Sequence, residues 1–235
     1  MRILSWNVQG IGIPITRDHL NNLYNDFKSD IVFLSETKAP FEKMDLILKT
    51  SKFFDWFIIP SVGIAKGLAI AWHNNVELRL VSAQFNVCHF EGSWHNNVEL
   101  RLVSAQFNVC HFEGSYDDKV FELTCIYGAV GAEEKIIQWS HIQNLANQVQ
   151  KPWALIGDLN IILDPAEKQG GNNTSSSNKT IVRQIIDSLG LQDAGYEGAP
   201  FTWSNNRSGD ANICERIDRT LTSYQWIQLF PNTKD

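Results

Sequence analysis

The chain has 235 residues, of which 43% are apolar and 11% aromatic; this is enough for a substantial core and excludes a generally disordered protein. The net charge of −6 argues against a broad basic surface that binds nucleic acid regardless of sequence, although a local basic groove stays open. No secretory signal and no apolar run of about 18 residues occur, so we expect an intracellular protein, nuclear or cytoplasmic, without a membrane span.

Strand-like runs recur along the chain from its first residues. They are short, rich in β-branched and aromatic residues, and bounded by polar residues or glycine, which is typical of strands in a buried sheet. These patterns predict strands at residues 2–8, 31–36, 56–60, 68–72, 121–127 and 153–157.

An internal repeat interrupts this series. Residues 72–93 recur letter for letter as residues 94–115. Each copy contains two strand-like runs, residues 76–82 and 85–91 in the first copy, so one copy predicts a β-hairpin. A solenoid needs at least about three units and usually drifts in sequence, so we interpret the repeat as a recent tandem duplication or an error in sequence assembly.

The surplus hairpin has to extend a sheet edge or be extruded from the fold, where its apolar residues promote aggregation. Its two antiparallel strands leave the direction of the next strand unchanged, so we expect the fold to tolerate it. We interpret the duplicated His89 and His111 as non-functional, because a metal site needs converging ligands and a second set supplies none.

Helical patterns lie between the strand-like runs. Apolar residues spaced as in a helix include Leu20 and Phe27, and further helices are predicted at residues 133–148 and 180–189. Residues 170–178 are small and polar, which predicts a surface loop. Strands and helices in mixed order favour a layered α/β sandwich of one domain, residues 1–235, over a purely parallel sheet.

Polar side chains follow four of the predicted strands at their carboxyl ends. In open α/β sheets, ligands collect in the crevice at these ends, so the residues are expected to form one site. Oxygen and amide ligands suit Mg²⁺ and phosphate better than Zn²⁺. The candidates are Asn7, Glu36, Tyr127, Asp158 and, two residues further, Asn160.

Each candidate also has a purely structural interpretation. Asn7 is a common turn residue, and Asp158 with Asn160 is equally consistent with an Asx turn. Carboxylates such as Glu36 are more often solvated than bound to metal, and Tyr127 is more often packed than catalytic. Their joint occurrence at four strand ends favours a phosphodiesterase site, in which a metal neutralises charge and a base positions water.

Five segments of the sequence stand out together: Trp6-Asn7-Val8-Gln9-Gly10, Leu34-Ser35-Glu36-Thr37-Lys38, Ile126-Tyr127-Gly128, Gly157-Asp158-Leu159-Asn160 and Arg216-Ile217-Asp218-Arg219. In combination they resemble the endonuclease/exonuclease/phosphatase family, which includes exonuclease III-like repair nucleases. The resemblance extends over nearly the whole chain, and two further segments, residues 167–171 and 201–205, are similar to the endonuclease domains of plant LINE-type retrotransposons.

The resemblance implies a four-layered α/β sandwich, with two mixed β-sheets flanked by helices, that hydrolyses phosphodiesters with Mg²⁺, or alternatively Mn²⁺. It implies that Glu36 is the main metal ligand with Asn7 beside it, and that Asp158 aligns or activates the attacking water. Tyr127 and Asn160 are implied to contact the scissile phosphate.

The resemblance also implies that Asp218 orients a catalytic histidine. Family members carry this histidine in a Ser-Asp-His motif on a strand that follows the Arg-Ile-Asp-Arg segment. The sequence reaches Asp235 without such a motif, so we expect a fold incomplete at its C-terminus and impaired activity, because groups of one catalytic unit are interdependent. Two alternatives stay open: an inactive retroelement remnant, and a phosphatase or phospholipid phosphodiesterase of the same fold.

The retroelement branch implies nicking of target DNA and a reverse transcriptase in a longer parent protein, with the domain itself expected to be a monomer. Candidates for DNA contact lie in or near loops after the predicted strands, namely Lys168, Trp203, Arg207 and Arg216. Sequence alone does not separate phosphate-binding side chains from ordinary surface charges and a packing tryptophan.

Overall fold

A computed structural model describes residues 1–51, 53–61, 67–84, 108–171 and 177–234; of residues 82–84 and 177–179 it describes only the backbone. All the strands predicted outside the repeat are confirmed, with ends shifted by two residues or fewer. The strands are β1 Ile3–Asn7, β2 Ile31–Ser35, β3 Asp55–Ile59, β4 Leu68–Trp72, β5 Val76–Gln84, β6 Asn108–Tyr116, β7 Lys119–Tyr127, β8 Trp153–Asp158, β9 Lys168–Gln169, β10 Gln192–Asp193, β11 Trp203–Ser204, β12 Cys214–Glu215 and β13 Asp218–Thr222.

The three predicted helices are also confirmed, and the helices are α1 Pro14–Phe27, α2 Phe41–Thr50, α3 Ala132–Ala146, α4 Ser177–Ser188 and α5 Tyr224–Leu229. Helix α2 was not predicted, although it buries Met44, Ile47 and Leu48 on one face at helical spacing. Helix α4 starts at Ser177, inside the predicted loop, while residues 172–176 lie outside the described part of the chain.

The first sheet has the strand order β1-β2-β4-β3, with β1 and β2 parallel. Every residue of β2 is buried, because the sheet is covered on both faces. Ile31 and Phe33 point into the space between the two large sheets, whereas Val32 and Leu34 point toward α1 and α2. The alternation of side chains along one strand therefore serves two separate cores.

The second sheet has the order β10-β13-β8-β7-β6-β5, with β7 and β8 parallel and the other neighbours antiparallel. Ala154 and Ile156 of β8 pack into the core between the sheets, while Leu155 packs with Trp139 and Ile142 of α3 on the outer face. The layers are thus helices, sheet, sheet and helices, which confirms the four-layered α/β sandwich.

Two smaller features complete the described fold. A third, short sheet has the strand order β11-β12-β9. Among the helices in the described ranges, none has both the length and the apolar character that a membrane span requires.

The repeat contributes one strand from each of its copies. Strand β5 belongs to the first copy and β6 to the second, and the two pair antiparallel from Val76 opposite Tyr116 to Gln84 opposite Val109. The predicted strand at residues 85–91, like the rest of residues 85–107, lies outside the described residues. The described hairpin is therefore a composite of both copies.

Candidate active site

The candidate site lies where the parallel strands of both sheets end. Strand β1 packs against β8, so the ends of the two parallel pairs, β1 with β2 and β7 with β8, come together. Asn7 and Asp158 are the last residues of β1 and β8, and Tyr127 is the last residue of β7. Glu36 follows β2 directly, so these predicted residues meet at one edge of the sandwich.

Two side-chain hydrogen bonds join the sheets at this edge. The amide of Asn7 donates from Nδ2 to Asp158 Oδ2 at 3.3 Å, and the Tyr127 hydroxyl donates to Glu36 Oε1. Each bond links residues more than 90 positions apart in sequence. The convergence predicted from strand ends is therefore present as direct contact.

Asp158 is buried and surrounded by negative charge. Burial, together with Asp218 opposite it on β13 and with Glu36, raises its pKa to about 7, although hydrogen bonds from Asn160 and Asn7 oppose the rise. The bond from Asn160 is donated by its backbone N–H to Asp158 Oδ1 at 2.9 Å. A carboxylate that is only partly ionised near neutral pH is suited to exchange a proton.

Tyr127 remains protonated in this setting. Burial and the adjacent carboxylate of Glu36 raise the pKa of its phenol, although a side-chain hydrogen bond with Asn160 opposes the rise. Glu36 itself forms an ion pair with Lys38, whose Nζ lies 3.2 Å from Oε2. Both Glu36 and Lys38 have positive φ angles of 51° and 49°, so the chain turns sharply as it leaves β2.

Hydrogen bonds to the backbone of the loops after β7 and β8 hold these two loops in place, and we call this arrangement the clamp. Its main member is Gln138, which was not predicted from the sequence. From α3, Gln138 donates to the carbonyl of Tyr127 at 3.0 Å and accepts from the N–H of Ala129 at 2.8 Å. Gln138 is buried, and the sequence signals this only weakly, through a polar residue at helical spacing with the apolar Ile142 and Leu145.

The same clamp requires glycine at position 128 and occupies the side chain of Asn160. A Cβ on Gly128 would lie 2.2 Å from the carbonyl oxygen of Leu159, which is too close for any other residue. Asn160 donates from Nδ2 to the Gly128 carbonyl at 2.8 Å, and Lys135 donates to the Asn160 carbonyl at 2.6 Å. Asn160 is therefore held against the loop beside Tyr127.

The donor set fits a hard divalent cation. The carboxylates of Glu36 and Asp218 lie close enough to Asp158 to raise its pKa, and Asn7 adds an amide oxygen. Carboxylate and amide oxygens are ligand types that Mg²⁺ prefers. Within the described ranges, no group of three or more His, Cys, Asp or Glu residues is arranged to hold a metal ion. A bound Mg²⁺ would therefore rely on few protein ligands and on water, as Mg²⁺ commonly does.

Comparison with known proteins gives a family match over residues 4–232, nearly the whole chain, to the endonuclease/exonuclease/phosphatase family. The chain belongs to this family. No curated protein matches it.

Several solved structures have the same fold as this chain. An AP endonuclease from Archaeoglobus fulgidus has a TM-score of 0.67 at 16% identity, covering 95% of this chain and 87% of the other. The 3′ phosphatase NExo from Neisseria, bound to a product DNA hairpin, has a TM-score of 0.64 at 18% identity, with the same coverage. The APE2 catalytic domain from Xenopus laevis has a TM-score of 0.63 at 19% identity, covering 97% and 84%.

In this endonuclease/exonuclease/phosphatase domain, the short sheet brings two of the predicted DNA-contacting residues into one row. Trp203 and Lys168 are the register partners of Glu215 on either side. Trp203 is 38% exposed, while Lys168 forms an ion pair with Glu215 at 2.8 Å. Arg207 lies exposed in the loop that follows β11.

Arg216 lies between β12 and β13, in a loop as predicted, but its side chain does not face solvent. It is buried, and its guanidinium donates to both carboxylate oxygens of Asp193 at 2.9 and 3.0 Å and stacks on Tyr196. Arg219, fully buried, bonds to the same Asp193 and to Glu167. The guanidinium of Arg216 is thus engaged within the fold, which does not fit contact with a DNA phosphate.

Asp218 lies beside the site and is fixed through its backbone. Its N–H donates to Thr202 Oγ1 at 3.1 Å, and the N–H of Ile217 donates to the same hydroxyl at 3.1 Å. Since Asp218 is the register partner of Asp158, the Arg-Ile-Asp-Arg segment adds a carboxylate to the site from its first residue on β13. Its arginines face away, into the buried ion-pair network.

Proposed function

We propose that this chain hydrolyses phosphodiester bonds in DNA with Mg²⁺, by endonucleolytic nicking of the retroelement type, and that Mn²⁺ can replace Mg²⁺. The observation that carries the proposal is the convergence of Asn7, Glu36, Tyr127 and Asp158 at one edge, joined across the two sheets by hydrogen bonds. Membership of the family supports phosphodiester chemistry. The similar solved structures include an AP endonuclease and a phosphatase bound to a DNA hairpin, which favours DNA as substrate.

Each residue is assigned a role from its environment. Glu36 and Asn7 would hold the cation, which, when bound, neutralises charge on the phosphate. Asp158 would take a proton from the attacking water, because its pKa of about 7 leaves it partly ionised near neutral pH. Tyr127 would release its hydrogen bond to Glu36 and donate a hydrogen bond to a phosphate oxygen, since its raised pKa keeps the phenol protonated.

Two further residues act beside this group. Asn160 would contact the phosphate next to Tyr127, and the clamp that holds its side chain fixes where that contact forms. Asp218 would act through its negative charge, which helps to keep the pKa of Asp158 raised. For DNA, the exposed Trp203 and Arg207 are the better-placed contacts, with Lys168 reaching a phosphate by exchanging its partner Glu215.

The test is nicking of supercoiled plasmid in Mg²⁺ by the parent chain and by Glu36→Gln. We expect Glu36→Gln to lower nicking by about 100-fold, because it removes the charge that holds the cation. Glu77→Gln is the matched control, since Glu77 is an exposed carboxylate on β5, and we expect it to nick like the parent.

A second substrate separates the alternatives. An oligonucleotide with a 3′ phosphate reports phosphatase activity through release of inorganic phosphate. Phosphate release without nicking would replace the endonuclease by a phosphatase of the same fold. Absence of both activities in the parent chain would contradict the proposal and leave an inactive remnant.

A further inference from the structure

Both carboxylate oxygens of Glu36 are covered by side chains of the same chain. The Tyr127 hydroxyl donates to Oε1, and the ammonium of Lys38 lies 3.2 Å from Oε2. The first partner is neutral, whereas the second carries a full positive charge. Glu36 is assigned above to hold the cation, so the charge of Lys38 lies at an oxygen that a divalent cation would also use.

The turn that carries Lys38 is tied to two other parts of the backbone. The N–H of Thr37 donates to the carbonyl of Gly67 at 3.1 Å, and the carbonyl of Thr37 accepts from the N–H of Ile11 at 2.9 Å. Thr37 is also fully buried. The root of the Lys38 side chain is therefore held in place next to the end of β2.

The tip of the Lys38 side chain, unlike its root, reaches solvent. The side chain is 36% exposed, which places the ammonium at the mouth of the site. Its stem runs beside the loop after β1, because a Cβ on Gly10 would lie 3.8 Å from Lys38 Cδ. Lysine has a flexible four-carbon stem and three rotatable donors, so its ammonium can exchange one oxygen partner for another near the same root.

The ion pair of Glu36 and Lys38 lies in a site with several negative charges. Asp158 and Asp218 are register partners on β8 and β13 and add two carboxylates. A phosphodiester is itself an anion, so its approach to three carboxylates is unfavourable unless positive charge accompanies it. The ammonium at the mouth supplies such a charge, and lysine is a common phosphate binder in proteins.

We propose that Lys38 has two partners in turn. It neutralises Glu36 Oε2 in competition with the cation, and it contacts the scissile phosphate when that oxygen holds the cation. This inference rests on the proposed function, because it takes Glu36 as the cation ligand. Tyr127, which covers Oε1, is assigned the same change of partner. The two donors would therefore leave one carboxylate and contact the phosphate from neighbouring positions.

The proposal predicts effects of opposite sign for Lys38→Gln. Loss of the ammonium removes the competitor, so Mn²⁺ should bind about threefold to fivefold more tightly, the range expected for loss of a half-exposed ion pair. At saturating Mn²⁺, the same variant should nick supercoiled plasmid about 10- to 100-fold more slowly, because a charged contact to the phosphate is missing. A lysine that only stabilised the turn would, on replacement, weaken cation binding and nicking together.

Binding of Mn²⁺ to the full chain is measured without DNA, from the electron paramagnetic resonance signal of the free ion. Lys38→Arg keeps the charge, so we expect its Mn²⁺ affinity within about twofold of the parent and its nicking within about tenfold. Lys49→Gln is the matched control, because Lys49 pairs with Asp45 at 2.6 Å and this carboxylate is 22% exposed, as is Glu36. We expect Lys49→Gln to match the parent in both assays.

The outcomes separate the role of Lys38 from the proposed function. Mn²⁺ binding by Lys38→Gln that is equal to the parent or weaker would overturn the competition, and nicking equal to the parent would overturn the phosphate contact. If Glu36→Gln binds Mn²⁺ as tightly as the parent, Glu36 is not the cation ligand, and the proposed function and this inference fail together. If Glu36→Gln loses Mn²⁺ while Lys38→Gln binds it like the parent, only the role of Lys38 fails. A parent chain that binds Mn²⁺ but does not nick would contradict the phosphate contact, and the titration would still decide the competition.

Discussion

Replacement of Arg219 by Met should be among the most destabilising single substitutions in this protein. The Arg219 side chain is fully buried, and its guanidinium donates to Glu167 Oε1 and Oε2 at 3.0 and 2.7 Å and to Asp193 Oδ2 at 2.6 Å. Methionine has similar length but no charge, so Glu167 and Asp193, whose side chains are 16% and 27% exposed, would each lose a partner. Breaking a buried ion pair in this way costs about 3–5 kcal/mol.

The assay is urea unfolding of the parent chain and the variant, with the free energy of unfolding extrapolated to water. Arg79→Met is the matched control, because Arg79 also pairs with a glutamate, Glu113, but its side chain is 68% exposed. Such surface pairs contribute about 0–1 kcal/mol. A loss below about 1 kcal/mol for Arg219→Met would refute the reasoning, since it would mean that the network adds no net stability beyond a surface pair.

Three further predictions concern the buried histidine, the clamp and the cation. Burial lowers the pKa of His111 despite Glu122, so the unfolded chain binds the proton first and stability falls as pH drops below 6.5. In urea unfolding, His111→Gln should flatten this decline and His89→Gln should not. Gln138→Leu should cost about 1–3 kcal/mol in urea unfolding by leaving two backbone groups unpaired, and lower plasmid nicking; an unchanged value would contradict the clamp. Mg²⁺ should raise the Tm of the parent but not of Glu36→Gln; equal shifts would place the ion elsewhere.

His111, one of the duplicated histidines, lies on β6 and contacts two residues of β7. His111 is buried between Thr124 and Glu122, with both ring nitrogens 2.9 Å from their partners. Its side chain satisfies polar groups of the neighbouring strand within the sheet. Sequence could not decide this, because the partners of His111 lie on a different strand.

Local sequence determined which segments are strands and which residues stand at their ends. Residues 31–34 are all apolar because both faces of β2 are covered, and Glu36, the first residue after the strand, marks the point where the chain leaves the core. From the sequence alone, that rule predicts that Asn7, Glu36, Tyr127 and Asp158 lie at one edge of the sandwich. It depends only on neighbours along the chain and on the common direction of parallel strands.

Tertiary structure alone decided the pairings between distant residues. Arg216 has the sequence character of a surface cation, yet Asp193 and Tyr196 enclose it. Gln138 has no motif around it and acquires its role only because α3 packs behind β7. Tertiary structure also decided that β5 comes from the first copy of the repeat and β6 from the second. Identical sequences have identical propensities, so only the neighbouring strands and the lengths of the connections distinguish the two copies.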